Sequence, residues 1–69
     1  MEIAAWLTGV NKALLAYESV FKEAGYDNVG LLKYMDDEDK EELLTSLDAE
    51  SIKKPHRKAI AKALSELHD

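Results

Sequence analysis

Apolar residues recur at three- and four-residue intervals along most of the chain, with polar residues between them. That spacing places apolar side chains on one face of a helix. Ile3, Trp6, Leu7 and Val10 form a first short face, with Gly9 loosening its end. A second stretch runs from about Asn11 to Ala24. Asn11 serves as N-cap, and Leu14, Tyr17, Val20, Phe21 and Ala24 line one side. Gly25 suits the left-handed residue that stops a helix, and Tyr26, Asp27 and Asn28 form a loop. A brief third stretch, from about Val29 to Tyr34, presents Val29, Leu32 and, just beyond, Met35. Asp36 or Asp37 caps a fourth helix reaching about Ser46, whose apolar side is Leu43, Leu44 and Leu47. Asp48 to Lys54 reads as a connector with room for one helical turn. Pro55 suits the first turn of a last helix, where its missing N–H costs least. From there Ala59, Ile60, Ala63, Leu64 and Leu67 repeat, with His56 on the same side.

The pattern predicts an all-α fold. It is a compact bundle of five helices, four short and one long C-terminal helix, in a single domain over residues 1–69. Composition agrees. Gly9, Gly25, Gly30 and Pro55 are the only glycines and proline, β-branched residues are sparse, and Ala, Leu, Lys and Glu favour helix. A chain of 69 residues buries only about 60% of the surface its unfolded form exposes, so the core is small. With no cysteine there is neither a disulfide nor a thiolate metal site. This fits a reducing compartment, and an intracellular, cytoplasmic location is expected. No apolar run approaches the roughly 20 residues of a membrane span. Glu2 and Trp6 spoil a signal-peptide pattern. The expectation is a soluble module drawn from a longer protein.

Charge changes the picture, because it is split by position. Up to Glu50, acids far outnumber bases, most densely from Asp36 to Glu42. From Ser51 onward Lys53, Lys54, Arg57, Lys58 and Lys62 outnumber Glu66 and Asp69. A body carrying two patches of opposite sign attracts copies of itself, or relatives, head to tail. Each patch also has a plainer reading as a solvated face. Acids in a first helical turn complement the helix dipole. The basic run fits that reading less well. Lysine and arginine at the positive end of a helix oppose the dipole, and Lys54 and Lys58, four apart, repel each other. A negative partner would relieve both.

The order of residues resembles a known family. A Trp-Leu pair stands near the start (Trp6, Leu7), then Tyr17 and Phe21 four apart, then Gly25-Tyr26-Asp27. Leu31-Leu32, Met35 and the Asp37-Glu38-Asp39 run follow, and late in the chain comes His56-Arg57-Lys58 with Ile60. Together these resemble a sterile alpha motif (SAM) domain over nearly the whole chain. Departures are visible. The family's glycine-bearing corner before the last helix reads Leu43-Leu44-Thr45-Ser46-Leu47, the connector to His56 is a few residues longer, Pro55 replaces the usual glycine, and Lys40 takes a position often apolar. The resemblance implies a protein–protein interaction module used in scaffolding and signalling. It would pair with another SAM domain, as a homotypic oligomer or a heterotypic pair. It also implies two surfaces. The mid-loop surface would comprise Asp27, Asp36, Asp37, Glu38, Asp39, Glu41 and Glu42. The end-helix surface would comprise Lys53, Lys54, His56, Arg57, Lys58 and Lys62. An apolar centre would be needed beside the charges, with Tyr26, Met35 and Ile52 as candidates.

Other chemistries fit less well. Some SAM domains bind RNA hairpins through the basic start of the last helix. The net charge of −5 and the lack of an aromatic platform argue against nucleic acid here, and a lipid-surface role meets the same objection. Ser51, His56 and a nearby acid have no nucleophile elbow around them. The acidic run lacks the glycine turn of a calcium loop, and two distant histidines make no zinc site. No catalytic residue, metal or cofactor is expected. His56 reads as a packed residue where the last helix meets the first, an interface residue, or a titrating group, since an unperturbed histidine changes charge near pH 6.5. His68 is expected to be inert near the chain end.

Overall fold

The computed structural model describes residues 1–67. His68 therefore lies outside the described residues. Five α-helices follow one another: α1 (Ile3–Val10), α2 (Glu18–Glu23), α3 (Val29–Leu32), α4 (Asp37–Ala49) and α5 (Lys54–Leu67), with a 3-10 helix (Lys12–Tyr17) before α2. The all-α bundle read from the periodicity is present. α5 is the longest at 14 residues, with α4 close behind at 13.

The expected helix over Asn11–Ala24 divides in two. Asn11 caps it as anticipated, its side chain accepting from the Ala13 N–H at 2.9 Å. Leu14 and Tyr17, three residues apart, match the three residues per turn of a 3-10 helix. That winding leaves Leu14 buried and Tyr17 against the core. The backbone relaxes into α2 at Glu18, and α2 buries Val20 and Phe21. Ala24, expected on the buried side, is exposed.

Two helices end the same way. After α2, Gly25 has φ +97°. The Tyr26 N–H reaches back to the Phe21 carbonyl at 2.9 Å, and the Gly25 N–H to Lys22 at 3.0 Å. After α4, Ser51 has φ +60°. Ile52 N–H reaches Leu47 O at 3.2 Å, and Ser51 N–H reaches Asp48 O at 3.0 Å. Both are Schellman closures, in which a left-handed residue lets two late carbonyls be satisfied. The second closure lies beyond Ala49, so α4 runs three residues past the expected Ser46 and the connector to α5 is correspondingly short.

Asp36, one of the two anticipated caps, holds the start of α4. Its Oδ1 accepts from the Asp39 N–H at 2.8 Å, while Asp39 Oδ2 accepts from the Asp36 N–H at 3.3 Å. This reciprocal capping box satisfies two otherwise orphaned donors. Asn28 caps α3 through the Leu31 N–H. The Val29 N–H donates to Met1 O at 2.9 Å and an isolated bridge joins Glu2 to Asn28, tying the chain start to α3.

Ile3, Leu7, Leu14, Phe21, Leu32, Leu43, Leu47, Ile60 and Leu64 are essentially inaccessible and meet in one core. Trp6 packs edge-on to Phe21, ring centroids 6.0 Å apart. No polar or charged residue is buried among the described residues, so the core is held by apolar burial alone. Val10, counted on the first apolar face, is exposed because α1 ends there.

Candidate functional site

α4 carries the acidic block at its start. Asp36 and Asp39 are engaged in the cap, which leaves Asp37, Glu38, Glu41 and Glu42 displayed to solvent. Tyr26, leaving the Gly25 turn, lies beside Asp39 and Glu42. Tyr26, Asp39, Glu42, Leu43 and Ser46 line one shallow hollow. Partial burial, and then the carboxylates of Asp39, Glu42 and Asp36, push the Tyr26 hydroxyl above the ordinary phenol range. Asp27 lies elsewhere, in a hollow with Glu2, Ile3, Ala4, Glu18 and Lys22. The structure thus brings Asp36, Asp39 and Glu42 near Tyr26 and places Asp27 against α1 and α2.

The basic residues gather at the other end of α4. Lys53 precedes α5, its carbonyl accepting the Arg57 N–H at 3.0 Å, and Lys54, Arg57 and Lys58 occupy the first turns. Lys53, Lys54, Lys58 and Lys62 are exposed. Arg57 Nε donates to Asp48 Oδ1 at 2.9 Å across the Ser51 corner. His56 turns inward. Its Nδ1 lies 2.8 Å from the Tyr17 hydroxyl, and the two rings meet edge to face. His56 thus packs on Tyr17 of the 3-10 helix.

The spacing along α4 follows from helix geometry, and it is widest for the first-turn acids, Glu42 being six residues (about 9 Å) from Asp48. Asp37 and Asp48 are eleven residues apart on α4, a rise of about 17 Å. Asp48 holds Arg57. The first-turn acids and Arg57 are thus anchored near opposite ends of one rigid helix, separated by about two Debye lengths at physiological salt. The ion pairs among the described residues are Lys22–Glu18 and Arg57–Asp48. Neither joins the Asp36–Glu42 block to the basic cluster.

No family model, no curated protein and no solved structure matches this chain.

The apolar candidates are redistributed. Met35 is 6% exposed and belongs to the core, so it is unavailable to a partner. Ile52 is half-buried and packs on the core where the Schellman closure brings it back. Tyr26 is half-buried as well. Tyr34, by contrast, is 85% exposed, two residues before Asp36, with Leu31 exposed one turn earlier. Half exposure was expected of Tyr34 from its sequence; its place outside the Val29–Leu32–Met35 spacing leaves it almost fully exposed instead. Among the described residues no group of His, Cys, Asp and Glu could hold a metal ion, and no helix is long and apolar enough to cross a membrane.

Proposed function

We propose that this chain is a protein-association module of the SAM type. The acidic start of α4, with Asp37, Glu38, Glu41 and Glu42, and with Tyr26 and Tyr34, docks on the basic start of α5 of a second SAM-like domain, where Lys53, Lys54, Arg57 and Lys58 meet it. The partner is another copy of the chain or a relative. The observation that carries this reading is that no ion pair among the described residues joins the Asp36–Glu42 block to the basic cluster, and that the first-turn acids stand at the far end of α4 from Asp48 and Arg57. Attraction between those first-turn acids and the cluster is screened inside one molecule, whereas two molecules can bring them into contact. The contact is heterologous, so it propagates into an open chain unless the rotation closes a ring. Exposed charges supply steering and register more than affinity. The apolar contribution falls to Tyr34 and Leu31 beside the acids.

Sedimentation velocity over a range of protein concentration and salt tests the homotypic form. Association that weakens as screening shortens to about 3 Å at 1 M salt supports it. A monomer at millimolar protein in low salt excludes it.

A further inference from the structure

We propose that Ser51 is a phosphorylation site, and that its phosphate switches off the basic surface at the start of α5. The hydroxyls of Thr8, Ser19, Thr45, Ser46 and Ser65 all lie within helices. Thr8 and Ser46 also donate to carbonyls one turn back, at 2.8 and 3.1 Å. A kinase must place the acceptor oxygen in line with the γ-phosphoryl group, and a helical hydroxyl reaches that geometry only after its helix opens. Among the described Ser and Thr residues, Ser51 alone lies outside a helix, and it is exposed.

Ser51 is also the one non-glycine residue among those described with positive φ, at +60°. Its Cβ makes this conformation strained, so the corner opens more readily than a relaxed one. The step balances simply. Ser51 Oγ attacks the γ-phosphorus of a magnesium-bound nucleoside triphosphate, the bond to the diphosphate leaving group breaks, and the hydroxyl proton passes to the kinase's base.

The consequence follows from the neighbours. Lys53 and Lys54 come two and three residues later, and Arg57 is already drawn across the corner to Asp48. A phosphate brings a charge of about −1.5 to −2 and three strong acceptor oxygens. It pairs with these cations from within the molecule and competes for the groups a negative partner would use. This switching role rests on the association reading above; the acceptor chemistry does not.

The test has two arms. The whole chain is incubated with magnesium ATP and, separately, a basophilic and an acidophilic serine kinase, and the product is mapped by mass spectrometry. Phosphate on Ser51, with the helical hydroxyls at background, is expected. Ser51→Gly, which relieves the strained conformation, should fold and stay unmodified. Phosphate on helical hydroxyls with Ser51 bare, or no incorporation by either kinase, overturns the assignment. In the second arm the chain is synthesised with phosphoserine at position 51 and its self-association is compared with the unmodified chain. Weakening of about tenfold is expected. Equal association overturns the switch. If the unmodified chain does not associate although Ser51 accepts phosphate, the association reading fails and the acceptor assignment stands.

Discussion

Arg57 Nε donates to Asp48 Oδ1 at 2.9 Å, joining the first turn of α5 to the last turn of α4 across the corner at Ser51. The pair ties the most directional cation of the basic cluster to the molecule's own acid. Both side chains remain well exposed, at 39% and 50%. Solvent screening therefore keeps its worth to the fold below about 1 kcal/mol.

Asp48→Asn should accordingly lower stability by less than about 1 kcal/mol in thermal or urea unfolding. Releasing Arg57 and removing one negative charge from the basic surface should strengthen association. Weaker association in this variant would mean that the pair holds Arg57 in a productive orientation instead.

Ser51→Gly should raise stability by about 0.5–1 kcal/mol, because relief of left-handed strain outweighs the greater freedom of glycine in the unfolded chain. That is a rise of a few degrees in melting temperature for a domain this small. Ser51→Val should do the opposite. Gly25→Ala should destabilise by about 1 kcal/mol. Apart from its chain neighbours nothing lies within 4 Å of the added Cβ, so the penalty there would be one of backbone conformation. A melting series over these variants checks all three.

Much of the fold was legible because its signals were local. Asn11 and Asp36 carry their capping oxygens, Gly25 supplies a left-handed stop, and Leu43, Leu44 and Leu47 sit at helical spacing. The 3-10 segment was missed because Leu14 and Tyr17, three residues apart, fit a 3-10 turn nearly as well as an α-helical one. The end of α4 was placed early because the turn residue there is serine, which does not announce positive φ. The charge split was readable in order along the chain. That no ion pair among the described residues links the Asp36–Glu42 block to the basic cluster, with Arg57 pinned to Asp48 and His56 turned inward, depends on contacts between residues apart in sequence, such as Tyr17 with His56.

Tyr26 gives a pH signature. Its folded pKa is raised by burial and by Asp39, Glu42 and Asp36, while the unfolded phenol titrates near pH 10. The folded state therefore holds the proton more tightly. The stability this contributes is fully present below about pH 10 and is lost as pH rises through the folded pKa. The phenolate absorbance of Tyr26, taken as the difference from Tyr26→Phe, should titrate above the ordinary range. It should move back toward that range in Asp39→Asn and Glu42→Gln. An unshifted titration would separate Tyr26 from the acidic surface.

Complementary charge reversal tests the central claim most directly. Asp36 and Asp39 are spared because they close the capping box, and Arg57 because it pairs with Asp48. The two variants are Asp37→Lys with Glu38→Lys, and Lys54→Glu with Lys58→Glu. Sedimentation velocity at low salt should find each variant alone monomeric, and an equimolar mixture forming a single pair through the face each retains. A mixture that stays monomeric while the parent chain associates, or either variant still assembling by itself, would contradict docking between the start of α4 and the start of α5.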